Sequence, residues 1–338
     1  MITVVVSVYN TGKYLPKAMD CLLRQTYRDF EIIIVDDGST DGSQDVCDRE
    51  AQGRDNVRVF HKPNGGLSSA RNFGIDHAKG DYIIFPDPDD WVEPNYLEKL
   101  VAIREETGAD LSICGHFDEM DSLVRVWNQG ARPCVMPASE AMEVLMTPSA
   151  FCGYAWNKLY DLRIIRANNL RFDTDLGMVQ DLHFAVRYFR CIATVAYDPT
   201  PLYHYNHDSG GVTASYTPLT QRKLSGLLTY EKIAELTAES NPAVAALARS
   251  TLCHTALQYI YIYYRTHMKD AAVRKRLKEA YFRSRDDYQA SPAYTPRDKM
   301  FMGLVPVSTR LYAFLTRLKK AYFNRTDKKQ KAAWHTAA

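Results

Sequence analysis

The sequence predicts an α/β fold, a mostly parallel sheet covered by helices, followed by a helical C-terminal region. Short, continuous apolar runs recur along the first part of the chain, and each breaks off in a polar turn. Between them lie segments with apolar residues at helical spacing. Strand–helix–strand repetition with unbroken apolar strands marks a sheet buried on both faces. From about residue 219 the strand pattern stops and helical periodicity alone continues.

Taken in order, Ile2 to Val8 reads as a buried strand that ends at Tyr9-Asn10-Thr11-Gly12. Leu15, Met19, Leu22 and Leu23 then recur at helical spacing. Phe30 to Val35 is a second buried strand, broken by the turn-forming run Asp36 to Ser43. A helix follows, then a strand at Val57–His61, the loop Lys62-Pro63-Asn64-Gly65-Gly66, and a helix through Ser68–Ala78. The run Tyr82-Ile83-Ile84-Phe85 leads into Asp87-Pro88-Asp89-Asp90, with a helix expected over 92–106 and a strand over Asp110–Cys114. Beyond 115 the pattern loosens up to Trp156–Tyr160, a helix over 179–190, a strand at Thr194–Tyr197 and the loop Leu202–His207. The expected division is an α/β domain over 1–218 and a helical region over 219–338.

Composition narrows the class. With 338 residues the chain is long enough for a sizeable core, and 46% hydrophobic and 24% charged residues are ordinary for a globular protein. The seven cysteines are scattered and form no C-x-x-C pair, which favours reduced thiols over a disulfide or zinc framework. No signal peptide is expected, and no apolar run approaches the ~18–20 residues that span a bilayer. The net charge of +2 hides an asymmetry: residues 221–338 hold 22 Lys+Arg against 9 Asp+Glu, so an acidic body carries a basic tail.

Ligands of parallel sheets bind outside the carboxyl ends of the strands. Tyr9, Asp36-Asp37, Asn64-Gly65-Gly66 and Asp87 to Asp90 all fall there. Three carboxylates within four residues repel one another, and burying them unpaired costs several kcal/mol each. Hard oxygen ligands on such a turn suit Mg²⁺ or Mn²⁺ held together with substrate phosphates. Read singly, Asp89 or Asp90 could instead cap the following helix, Asp36–Ser39 could be a capped turn, and Asp181 could be an N-cap.

Together these segments look like one family. Val6-Ser7-Val8-Tyr9-Asn10, Gln25-Thr26-Tyr27, Phe30 to Asp41, Asn64 to Asn72 and Gly80 to Asp90 resemble, in order and spacing, the family 2 glycosyltransferases of the bacterial surface-polysaccharide type. A weaker match continues through Trp156–Tyr160, Phe172–Asp181 and Tyr203–Tyr205. The resemblance implies a GT-A fold and inverting sugar transfer from a nucleotide-sugar donor. It implies that Ser7 and the ring of Tyr9 line the nucleotide base. Asp37 would accept from the base imide, which favours a UDP-sugar, and Arg71 would support the base and Asp37. Asp87 would lie near ribose and metal, Asp89 would coordinate Mn²⁺ or Mg²⁺, and Asp181 would take the acceptor's proton. The family's usual Gly-Glu-Asp is here Val179-Gln180-Asp181, a departure at the base.

Lys158 could meet acceptor or diphosphate or be solvated, and His204 and His207 could approach the diphosphate or metal, whereas Trp156 reads as packing. Two rival functions stand beside sugar transfer. One is nucleotidyl transfer, which lacks a glycine-rich loop with a phosphate-gripping lysine after the first strand. The other is a sugar-nucleotide-binding scaffold without turnover. The expected partners are the nucleotide-sugar donor and a saccharide or lipid-linked acceptor, with no nucleic acid. Residues 304–325 place Leu304, Val307, Leu311, Phe314, Leu315, Leu318 and Phe323 broadly on one face among many Lys and Arg. Such a helix can pack on the body or lie on an anionic membrane, so the expected location is cytoplasmic, peripheral to the inner face of the cell membrane.

Overall fold

The computed structural model describes residues 1–120, 123–147, 151–207 and 218–319. The fold divides into two compact units, within residues 1–213 and 214–338.

The first unit is built on β1 (Ile2–Val8), whose residues are all buried because it is flanked by strands on both edges. It pairs in parallel with β2 (Phe30–Asp36) and with β4 (Tyr82–Ile84), and β2 pairs in parallel with β3 (Val57–His61). Ile2 opposes Phe30, and Val8 opposes Asp36. The helices α1 (Leu15–Leu23), α2 (Ser43–Ala51) and α3 (Leu67–His77) connect these strands. Val4, Val6, Ile32 and Ile34 on the sheet and Leu15, Met19 and Leu22 on α1 are fully buried in one core.

Beyond β4 the sheet becomes mixed. The path runs β3-β2-β1-β4-β9-β6-β10-β5, where β5 is Trp91–Val92, β6 Leu111–Met120, β9 Lys158–Asp161 and β10 Thr194–Asn206. Two further strands, β7 (Leu123–Val126) and β8 (Cys134–Pro137), pair with β6 and β10. The expected helix over 92–106 therefore starts later, as α4 (Tyr96–Thr107), because Trp91 and Val92 pair with β10 instead. The expected strand at 194–197 and loop at 202–207 are one strand. Its parallel pairing with β6 slips at Pro199 and Pro201, which have no N–H to offer the ladder. The slipped segment crosses Gly115 so closely that a Cβ there would lie 2.2 Å from the Pro199 carbonyl oxygen. The first unit also contains α5 (Ala138–Leu145), α6 (Leu162–Ala167) and α7 (Gln180–Phe189).

The second unit is helical, with α8 (Gln221–Thr237), α9 (Pro242–Arg265), α10 (Ala271–Ala290), the short α11 (Pro296–Lys299) and a final helix over 309–319. Side chains cap the orphan N–H groups at four starts: Thr220 accepts from Lys223, Asn241 from Val244, Asp270 from Ala272 and Val273, and Thr295 from Asp298. Leu252, Ala256, Leu257 and Ile260 on α9 meet Leu277, Ala280 and Tyr281 on α10 in a separate core. Among the described residues, no helix is long and apolar enough to cross a membrane. The basic end of the tail, from Lys320 onward, lies outside the described residues.

Candidate active site

The carboxyl ends of β1 to β4 converge on one edge of the sheet, and each contributes a loop. At the end of β1, Ser7 is buried and its hydroxyl has no hydrogen-bond partner. The Tyr9 side chain stays 49% exposed, so it is an open ring and not a core aromatic. Asn10 ties this loop to the next: its N–H donates to Ser39 Oγ, and its Oδ1 accepts from the Thr40 N–H.

At the end of β2, Asp37 is buried in a cradle made by the loop after β3. One oxygen accepts from the Gly65 N–H at 3.0 Å and from Lys62 Nζ at 2.5 Å, and the other from the Gly66 N–H at 2.7 Å. A carboxylate has about four lone-pair positions, so one is left. The neighbouring Gly38 has φ +73°, and a Cβ there would lie 2.7 Å from the Asn64 N, so only glycine fits without strain. Arg71 does not support Asp37, contrary to expectation. Lys62, which no sequence signal singles out, does so.

Arg71 instead sits at the centre of the site. It projects from α3, is 1% exposed, and forks between two carboxylates distant in sequence. One terminal nitrogen donates to Asp181 at 2.5 Å and the other to Asp87 at 3.0 Å. Its guanidinium lies 5.2 Å from the Phe172 ring centroid, and the adjacent Asn72 clamps the backbone of Phe172 in both directions at 2.8 Å. The second oxygen of Asp181 accepts from the Ala155 N–H at 3.2 Å. Asp181 occupies the first turn of α7, and Val179 before it is left-handed with φ +60°. That is the position of the family's glycine, and a β-branched residue there carries strain. Gln180 is buried.

The turn Asp87 to Asp90 is not a helix cap. Asp90 is buried, accepting from Tyr203 Oη at 2.6 Å and from the Asn206 N–H at 2.8 Å. Tyr203 Oη also accepts from the Asp87 N–H at 3.0 Å, and Asn206 Nδ2 donates to the Asp89 carbonyl at 3.1 Å. The end of β10 thus pins the turn, a role that the alternating Leu202–His207 run hides. Burial pushes the Asp90 carboxyl well above the usual range, and neighbouring Asp87 and Asp89 add to it. Burial also raises Asp87, against the pull of Arg71. The Asp89 carboxylate has no hydrogen bond or ion pair among the described residues.

This donor set fits a hard divalent cation. Arg71 offsets the charge of Asp87 alone, the Asp89 carboxylate is free, and Mg²⁺ or Mn²⁺ usually takes one or two carboxylates plus phosphate oxygens. Among the described residues, no cluster of three or more His, Cys, Asp or Glu side chains could hold a metal. A site on this turn therefore needs ligands from the substrate.

Other candidates lie elsewhere. Lys158 is neither solvated nor at a ligand: it is fully buried, and its Nζ donates to the Cys152 and Tyr154 carbonyls and Asn157 Oδ1 at 2.7–2.8 Å. Burial lowers its pKa to about 7, although three acceptors match the three donors of an ammonium. It fixes the segment that presents Ala155 to Asp181. His204 is on β10, stacked on Trp91 and Phe117, with its ring nitrogens 2.7 and 2.9 Å from Glu119 and Glu93. His207 Nε2 lies 2.9 Å from Asp118. Trp156 packs, as expected, face to face with Tyr203.

Residues 3–166 match glycosyl transferase family 2. EpsH of Bacillus subtilis, named as a putative glycosyltransferase, is 35% identical over 247 residues, which cover 71% of this chain and 70% of that protein. The chain belongs to glycosyltransferase family 2. Staphylococcus aureus TarS (residues 1–349), solved with UDP-GlcNAc, superposes with a TM-score of 0.64 at 16% identity, covering 96% of this chain and 92% of that one. A Pyrobaculum calidifontis mannosyltransferase solved with GDP-Man and Mn²⁺ gives 0.54 at 16% identity, covering 97% and 87%. At such identity these likenesses speak for the fold, which is GT-A. The protein is a glycosyltransferase, and this removes the scaffold and nucleotidyltransferase readings.

Proposed function

We propose that this enzyme moves one sugar, with inversion, from a UDP-sugar to a hydroxyl of a saccharide or lipid-linked saccharide in polysaccharide biosynthesis, with Mn²⁺ or Mg²⁺ as cofactor. The observation that carries the reading is the Arg71 fork, which brings the candidate base Asp181 against the metal-type turn at Asp87. The half-exposed Tyr9 ring supplies a face for the base. The unpartnered Ser7 hydroxyl and the remaining lone pair of Asp37 offer polar contacts beside it.

A divalent cation bound at Asp89 would offset the charge that builds on the leaving diphosphate. The chain's own residues do the rest. Asp181, held through one oxygen by Arg71 and through the other by the Ala155 N–H, takes the proton of the acceptor hydroxyl as its oxygen bonds to the anomeric carbon. The bond from that carbon to the diphosphate breaks, and the electron pair leaves with the diphosphate. Attack opposite the leaving group inverts the centre. A retaining double displacement would need a second carboxylate as nucleophile, and the buried Asp90 is committed to Tyr203 and Asn206.

Incubation with a panel of labelled nucleotide sugars, Mn²⁺ and acceptor extracts tests the assignment. The expected product carries the sugar in inverted configuration. Asp89→Ala should abolish metal-dependent donor binding in calorimetry, and wild-type affinity for UDP in that variant would remove the metal assignment.

A further inference from the structure

The final helix of the second unit does not bury the face that its sequence suggests. Over 309–319 the buried residues are Thr309, Tyr312, Ala313 and Thr316, with Val305 just before the helix also buried. The large apolar residues point out instead: Leu311 is 42% exposed, Phe314 57% and Leu318 51%, and Val307 in the preceding turn is 80% exposed. At 3.6 residues per turn, Arg310, Leu311, Phe314, Arg317 and Leu318 fall within about 120° of arc, opposite the buried face. Arg310 and Arg317 are exposed and have no carboxylate partner among the described residues.

A second feature adjoins this stripe. Val307 and Arg310 also line a groove of about 610 Å³ whose other wall belongs to α10. That wall brings Arg274, Lys275 and Lys278, with Glu279 the one carboxylate among the lining residues. Phe282, on the same wall, is 44% exposed. Exposed apolar side chains are thus set among cations on one continuous surface, in a part of the chain with 22 Lys+Arg against 9 Asp+Glu. An apolar stripe by itself would suit another protein copy equally well. Glu279 pairs with Lys275 alone, so the excess of cations on both sides of the stripe repels a second copy of the same surface and attracts an anionic one.

We propose that this surface docks peripherally on a bilayer containing anionic lipid, the stripe entering the interface and the arginines and lysines meeting the headgroup phosphates. The chemistry required is that of an interfacial amphipathic helix, short in reach and reinforced by charge.

Flotation of the full chain with vesicles tests this, using phosphatidylcholine alone and phosphatidylcholine with about one-quarter phosphatidylglycerol. The expected result is at least about tenfold tighter binding to the anionic vesicles, weakened by salt. Phe314→Ser with Leu318→Ser should lower binding to them about tenfold. Arg310→Glu with Arg317→Glu should remove the preference for anionic lipid. All four positions are exposed, so circular dichroism should show the variants folded. Equal binding to both vesicle types, binding to neither, or wild-type binding by the folded variants would overturn the proposal. So would a dimer in sedimentation analysis that the Phe314→Ser, Leu318→Ser variant abolishes while vesicle binding is untouched.

Discussion

Arg71 shows how much of the site one residue organises. A lone carboxylate buried beside another would be driven to protonate, but a planar guanidinium gives each a directed donor and holds both in place. Asp87 and Asp181 are each readable in the sequence as acidic residues at a strand end and a helix start. Their meeting is not, because the residues are 94 positions apart and depend on a third side chain on α3. Val179 was legible only as a departure from the family, and its left-handed backbone supplies the physical reason why glycine is usual there. His116 gave no signal at all. It is buried on β6, stacked on Trp127 and edge-on to Trp156, and burial lowers its pKa to about 4. Because the unfolded chain takes up a proton near pH 6.5 that the folded chain refuses, stability should fall as pH drops from 6.5 towards 4. At about 1.4 kcal/mol per pH unit the share from His116 is at most about 3 kcal/mol. Denaturant titrations at both ends of that window should show a smaller loss for His116→Phe than for wild type. Equal losses would mean that His116 is protonated in the fold.

At the scale of elements, the continuous apolar strands β1 and β2 and the polar turns after them were plain in the sequence, since every residue of a strand buried on both faces must be apolar or paired. The strands of the second half were not plain. β10 is interrupted by Pro199 and Pro201, β5 has two residues, and β7 and β9 have four each, too short for a period to register. Yet β10 is what holds the acidic turn, through a tyrosine that reads in sequence as one more aromatic. Tyr203→Phe keeps the ring against Trp156 and removes only the hydroxyl that serves Asp90 and the Asp87 N–H. It should cost about 1–3 kcal/mol in stability, because a buried carboxylate loses its donor. It should also weaken Mn²⁺-dependent binding of UDP in calorimetry. Unchanged stability together with unchanged binding would show that the turn holds its shape without β10.

At the scale of the whole molecule, the chain carries two kinds of surface. The first unit is acidic and holds the carboxylates of the candidate site, and the excess of Lys and Arg falls in residues 221–338. That partition was legible from charge alone, whereas the outward turn of the apolar stripe was not. Which side of a terminal helix is buried depends on small residues, Thr309, Ala313 and Thr316, that hydropathy does not weight. If the Arg71 fork holds Asp181 ready for the acceptor's proton, Asp181→Asn should separate transfer from binding. Asparagine keeps the shape and can still accept from Arg71 through Oδ1, but its Nδ2 then faces the Ala155 N–H and it cannot take the proton. With the donor and acceptor that the product screen identifies, single-turnover transfer should fall roughly 10²–10⁴-fold while UDP affinity stays close to wild type and stability falls by no more than about 1–3 kcal/mol. Near-full transfer by Asp181→Asn would contradict the account and leave Asp181 a structural partner of Arg71.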